Sequence, residues 1–173
     1  MKKVYRTDKL TLFSYALLVF AYMWFFFLLV ERTGGFSGKS IILVVLILPI
    51  LAYFFFLLRK KIVVSDDGLE IVGITGKKFF KWNEIREISV SQGRKYFLFI
   101  TGEGDKFAII DDSVSGFTEI AKEITKRAPQ GAMKEEVITA ISSYKKSISS
   151  VLLILIASAV LIFLLIKSQG LIK

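Results

Sequence analysis

The sequence predicts an α+β membrane protein: a transmembrane helical hairpin, an antiparallel β-domain closed by a C-terminal helix, then a further transmembrane helix. Three observations predict it. Leu10–Val30, Ile41–Leu58 and Ile148–Ile166 contain no Asp, Glu, Lys or Arg. The stretch between the second and third of these breaks into short β-branched and aromatic runs separated by turn residues. That stretch ends in an apolar stripe at helical spacing, Phe117, Ile120, Ala121 and Ile124. The expected divisions are residues 1–58 for the hairpin, 59–129 for the β-domain, and 130–173 for an amphipathic helix followed by the third span.

The first apolar run, at about 1.5 Å per helical residue, matches a hydrocarbon core of about 30 Å. It is too long for the core of a cleavable signal, and no small-x-small site follows it, so it reads as an uncleaved anchor. Lys39 and Arg59 can snorkel at the ends of the second run. Pro49 lies within that run, where a kink is expected. Gly34, Gly35 and Gly38 make the connection between the two runs a short turn.

The net charge of +9 over 173 residues is unevenly placed. Residues 59–129 hold 13 basic and 11 acidic side chains, a net of only +2. A nucleic-acid-binding domain would concentrate its cations there, so no nucleic-acid partner is expected. Lys2, Lys3, Arg6 and Lys9 precede the first run, Arg59, Lys60 and Lys61 follow the second, and Lys145 and Lys146 precede the third. Only Arg32 and Lys39 lie in the first loop, and Lys167 and Lys173 in the tail. The bias places the N-terminus and β-domain inside and the C-terminus outside. In a prokaryote this is a three-span plasma-membrane protein with a cytoplasmic domain.

Within the β-domain the expected strands are Lys60–Val64, Leu69–Ile74, Lys78–Trp82, Glu87–Ser91, Lys95–Thr101 and Lys106–Ile110. The turns between them include Asp66-Asp67-Gly68, Thr75-Gly76-Lys77, Gln92-Gly93-Arg94 and Gly102-Glu103-Gly104-Asp105. Asp112 or Ser113 is the expected cap of the closing helix, and Pro129 and Gly131 stop it. Met133, Val137, Ala140, Ile141 and Tyr144 mark a second amphipathic helix leading into the third span, lying on the membrane or packing on the domain.

The run Asp67-Gly68-Leu69, the segment Phe80-Lys81-Trp82-Asn83-Glu84-Ile85-Arg86-Glu87-Ile88, and the later strands and helix resemble bacterial pleckstrin-homology-like domains. The likeness covers roughly residues 40–128, with Trp82, Glu84, Ile85 and Ile88 as its core motif. The third span departs from the plainest two-span form of such proteins. The resemblance implies a pleckstrin-homology-like fold and a membrane-tethered, non-catalytic module.

Cysteine and histidine are absent, which removes disulfides, thiolate nucleophiles and Cys/His metal sites. Asp66-Asp67 and Asp111-Asp112 fit turns or caps better than a calcium loop, and Glu84 has no recognisable carboxylate partner for acid–base work. No enzyme activity, cofactor or metal is expected. Domains of this fold that bind phosphoinositides cradle phosphate with cations around the first strand pair. Here the turn Ser65-Asp66-Asp67-Gly68 supplies anions instead. Contacts with the membrane surface are expected from Arg59, Lys60, Lys61, Lys77, Lys78, Lys81, Lys145 and Lys146, as unspecific attraction to anionic headgroups. The expected function is a non-enzymatic, membrane-anchored interaction or scaffold module, with the lipid bilayer and a protein partner or a second copy as ligands. The alternative is a subunit of a membrane transport or envelope-stress system, including resistance to antimicrobial peptides.

Overall fold

The computed structural model describes residues 2–73, 76–93, 95–104 and 106–169. Ile74, Thr75, Arg94 and Asp105, assigned to strand ends and turns by the sequence, lie outside the described residues, as does Lys173 in the tail. The chain runs β1 (Lys3–Arg6), α1 (Lys9–Arg32), α2 (Gly38–Arg59), β2 (Lys61–Val64), β3 (Gly68–Gly73), β4 (Gly76–Lys81), β5 (Ile85–Gln92), β6 (Tyr96–Gly102), β7 (Phe107–Asp111), α3 (Phe117–Arg127), α4 (Glu135–Ser142) and α5 (Ser149–Ser168). It divides into two units, Met1–Asp8 with Arg59–Ser147, and Lys9–Leu58 with Ile148–Lys173.

The first unit is the β-domain. Its strands form a four-stranded antiparallel sheet, β1-β2-β3-β4, and a three-stranded one, β5-β6-β7. Alternation along each strand sends Ile62, Val64, Leu69, Ile71 and Phe80 from the first sheet, and Ile88, Leu98, Ile100, Ala108 and Ile110 from the second, into one core. Phe117, Ile120, Ala121 and Ile124 of α3 are buried against it, as their spacing requires. A short 3-10 turn, Trp82–Glu84, carries the chain from one sheet to the other.

Strand β1 was not expected. The N-terminal segment reads as a basic flank of the first span, yet Lys3–Arg6 pairs antiparallel with β2 in the register Tyr5↔Ile62 and Arg6↔Lys61. Tyr5 enters the core, and its hydroxyl donates to Glu119 of α3 at 3.2 Å. The chain beyond β1 continues the pairing with the segment after β7: Asp8 N–H donates to the Ser113 carbonyl and Ser115 N–H to that of Arg6, both at 2.8 Å. The division 1–58 against 59–129 therefore does not describe the β-domain, which needs residues from both.

The cap of α3 also differs. Neither Asp112 nor Ser113 caps it; the helix starts at Phe117 behind Gly116, which adopts φ 71°. Residues 113–115 are held by β1 and cannot turn into a helix, so the start is delayed to the left-handed residue. A Cβ at Gly116 would also stand 2.8 Å from the Tyr5 ring. The second amphipathic helix packs on the domain, with Val137, Ala140 and Ile141 buried, and it ends before α5 begins. The preceding residues run beside β5, where Met133 forms a parallel bridge with Ile88 and covers that sheet edge.

The second unit holds α1, α2 and α5, each long and apolar enough to cross a membrane. α2 is one continuous helix through Pro49. α1 packs along α5, burying Ser14 and Ala21 on one helix and Val151, Ser158 and Leu165 on the other. These sevenfold spacings are those of a close, knobs-into-holes seam, and the hydroxyls of Ser14 and Ser158 are satisfied on their own helices, by the carbonyls of Thr11 and Ile154. Arg32, closing α1, donates to the carbonyl of Ser168, closing α5, at 2.5 Å. α1 and α5 therefore run parallel. α1 and α2 meet through larger side chains, with the Tyr15 and Tyr53 rings 5.1 Å apart.

Candidate functional site

The outer face of the four-stranded sheet gathers charge. With Tyr5 pointing inward, Val4 and Arg6 point outward, and Lys2 is in the same phase. Cross-strand partners share a face, so one outer row reads Arg6, Lys61, Val72, Lys77 and the next reads Val4, Val63, Glu70, Phe79. Lys81 is the last outward residue of β4. Five cations thus accompany Glu70 on this face, and Lys81 at its edge also stands 3.4 Å from Glu84.

Glu70 sits among them. Lys77 Nζ lies 3.1 Å and Lys61 Nζ 3.7 Å from its oxygens, and its side chain is 19% exposed against 64% for Lys77. The hydrogen bond from Lys77 holds the Glu70 carboxyl below the usual range, with the charges of Lys61 and Lys2 adding to it against a smaller cost of burial. Val4 and Phe79, at 52% and 40% exposure, lie between the cations.

The structure sorts the expected surface contacts. Lys61, Lys77 and Lys81 are on the face just described. Lys78 has the opposite phase and donates instead to the Phe107 carbonyl at 2.5 Å. Arg59 and Lys145 are exposed. Lys146 is ion-paired with Asp8 at 3.0 Å. Lys60 is a correction: its side chain is 4% exposed, with Nζ 2.5 Å from Asp111 and 2.9 Å from the Ser113 hydroxyl. Burial lowers its pKa despite the Asp111 charge beside it. Burial alone would raise the Asp111 carboxyl, but the charge and hydrogen bond of Lys60 outweigh this and leave it below the usual range. The ammonium is spent on this internal pair and is not offered to a surface. Lys2 and Arg6 were missed as members of the face, because nothing local marks them as belonging to a strand whose partner lies after two long helices.

The tryptophan motif makes contacts within the domain. Trp82 is half-buried against the core, and its indole N–H donates to the Ser65 carbonyl at 3.0 Å. The Arg127 guanidinium lies over its ring at 5.7 Å and reaches Asp66 at 3.1 Å and Glu123 at 2.9 Å. This ties the β2–β3 turn to the end of α3. Glu84 accepts from Lys106 at 3.2 Å and stands 3.4 Å from Lys81; the Lys106 hydrogen bond is the main cause of its carboxyl lying below the usual range. Ile85 and Ile88 are buried. Among the described residues no group of three or more Asp and Glu side chains is arranged to hold a metal ion.

A family model described as Bacterial PH domain matches residues 4–149. The chain belongs to the bacterial PH domain family. The likeness drawn from the Trp82–Ile88 segment is borne out, and its extent is larger than roughly 40–128. For this PH domain the match starts in β1 and runs through α1 and α2, so the apolar hairpin lies inside the matched segment. The first strand pair is therefore β1–β2, and the connection between its members is the helical hairpin. The acidic turn Ser65–Gly68, assigned by sequence to the first strand pair, joins β2 to β3. No curated protein and no solved structure matches the chain significantly. PH-like domains are generally binding modules without catalytic activity, which is the class this membership supports.

Proposed function

We propose that this protein is a non-enzymatic, membrane-anchored interaction module that displays its PH domain at the cytoplasmic face of the plasma membrane. The observation that carries the reading is the pairing of β1 with β2 on either side of α1 and α2. Strands in one sheet lie on one side of a bilayer, and two helical crossings return the chain to the side it left. The parallel run of α1 and α5 then carries the C-terminus to the opposite side. Basic residues flank the helices on the domain side, as expected for the cytoplasmic face.

The domain offers two faces to partners. One is the basic outer face of β1–β4. The other, on β6 and β7, carries Phe97, Phe99, Phe107 and Ile109, with the Phe99 and Phe107 rings stacked at 6.0 Å. Reporter fusions test the arrangement: a reporter after Lys173 is expected outside the cell and one inserted at Gly93 inside. The same location for both removes the third crossing from this reading. Crosslinking in intact cells, repeated with substitutions on each face, then identifies which face a partner engages.

A further inference from the structure

Tyr144 is lodged in the β-domain by its ring and not by its hydroxyl. The ring meets Tyr96 edge-on at 4.8 Å and tilts over Phe117 at 4.9 Å. Among the described residues, its hydroxyl oxygen is the one buried side-chain nitrogen or oxygen without a hydrogen-bond partner. A phenol in water has such partners, so docking gains ring packing and forfeits a hydrogen bond. Burial, and after it the charge of Asp112, pushes the Tyr144 hydroxyl up to about 12. α4 ends at Ser142, and the N–H groups of Ser143 and Tyr144 close its last turn on the carbonyls of Thr139 and Ile141. Residues 145–148 lie in no helix or strand and are exposed, with Lys146 held to Asp8 at 3.0 Å.

Asp112 adds a group that responds to protons. It directly follows β7 and is 7% exposed, while Lys60 is committed to the neighbouring Asp111 at 2.5 Å. The charged and titratable groups around it are Asp111 with Lys60 before β2, Lys95 and Tyr96 at the start of β6, Asp8 ahead of α1, and Tyr144 with Lys146. Burial raises the Asp112 carboxyl above the usual range and the Asp111 charge adds to this; a backbone hydrogen bond from Tyr96 and the charge of Lys95 oppose it without cancelling it. Such a carboxyl holds its proton more tightly when covered than when wet. Its contribution to the covered state is complete below the ordinary value near 3.9 and is lost as pH rises through the raised one. Of the charges acting on the Tyr144 hydroxyl, that of Asp112 is the largest, so lifting the ring admits water to this carboxyl. We propose that residues 143–147 form a proton-dependent strap: protonated Asp112 keeps Tyr144 docked on Tyr96 and Phe117, and ionised Asp112 lets the segment lift away and uncover those two rings. The unpaired hydroxyl keeps docking weak enough for one proton to tip it. The strap lies within the first unit and is independent of the anchored reading above.

The chain contains no cysteine, so Lys145→Cys carries a single nitroxide. In the full chain in detergent micelles, the spin-label spectrum at position 145 is expected to gain a mobile component as pH rises from mild acid to neutrality. One proton changes the docking equilibrium by up to about tenfold per pH unit. The same label on Lys122→Cys, on the exposed side of α3, is expected not to respond. Asp112→Asn keeps the shape of the protonated side chain and is expected to hold the strap ordered at every pH. Tyr144→Phe removes the unpaired hydroxyl and is expected to lower the mobile fraction at neutral pH while keeping the response to acid. A spectrum at position 145 indifferent to pH overturns the proposal, as does a response that survives Asp112→Asn. A strap that loosens in acid also overturns it, that being the sign expected if the Asp8–Lys146 pair governs the segment. Greater mobility in Tyr144→Phe overturns it as well, because the hydroxyl is then paired in solution.

Discussion

The second sheet is assembled from neighbours. β5, β6 and β7 follow one another between Ile85 and Asp111, and each pairs with the next. The first sheet is not: β1 ends at Arg6, its partner β2 begins at Lys61, and two apolar helices lie between. Both sheets nevertheless feed the same core. Loop-closure entropy grows only with the logarithm of the separation, so a distant edge strand is cheap provided its connection returns to the same place. A helical hairpin is such a connection, since its ends are held close by geometry. The comparison teaches that the boundary of this domain follows pairing and not sequence continuity.

The strongest way to break that comparison is Tyr5→Ala. Tyr5 is 8% exposed and packs with core residues of both sheets and α3. Removing a buried aromatic side chain costs about 3–5 kcal/mol, a large part of a small domain's stability. Chemical denaturation monitored at Trp82 should show the midpoint falling sharply. An unchanged midpoint would mean that β1 is not an integral strand.

Asp111→Asn probes the place where the start of β2 meets the end of β7. It leaves the Lys60 ammonium buried beside a neutral amide, at a cost of about 3 kcal/mol. The wild-type carboxyl is depressed in the folded state, so its contribution is present above the unfolded value near 3.9 and is lost as pH falls through the lower folded one. The variant should therefore be less stable at neutral pH, and the difference from wild type should shrink in acid. A difference that stays constant from neutral pH to acid would deny the ion pair its role.

The smallest effect is expected from Phe107→Ser on the outer aromatic face of the second sheet. The residue is 39% exposed, and its loss should change stability by less than about 1 kcal/mol. A larger loss in the isolated protein would show that this face is part of the domain's own packing; a change confined to crosslinked partners would show that it is a contact surface.

What was legible in the sequence was what local pattern records. The three apolar helices are long and uncharged, so no tertiary information is needed to find them. The strands from β2 to β7 announce themselves by alternation and turns, and α3 by its stripe. β1 was hidden for two reasons: four residues are too few for a periodic signal, and the cations in Lys3-Val4-Tyr5-Arg6 satisfy the rule for a membrane flank equally well. Lys60 was misread for a related reason, because its partner Asp111 lies 51 positions away. Gly116 illustrates a third kind of blindness. Asp112 and Ser113 are good caps locally, but the segment is committed to β1, and only the assembled fold reveals that the helix must wait for a residue able to adopt positive φ. The same cause limited the candidate site: the lysines of β2 and β4 were visible one by one, whereas the row they form with Arg6 exists only in register.

The separation of β1 from β2 sets a condition on biosynthesis. β1 leaves the ribosome first, and 55 positions separate Arg6 from Lys61 (61 − 6). At about 5–20 residues per second, its partner follows roughly 3–11 s later. During that interval Val4 and Tyr5 have no sheet to join. If α1 and α2 both cross the bilayer, the two strands meet on one side and the domain closes. If only one crosses, they are stranded in different compartments, and β2 is left with an open edge that no other segment of the described fold supplies. Pairing of β1 with β2 is thus a condition that a chain inserted with only one of the two crossings would not meet.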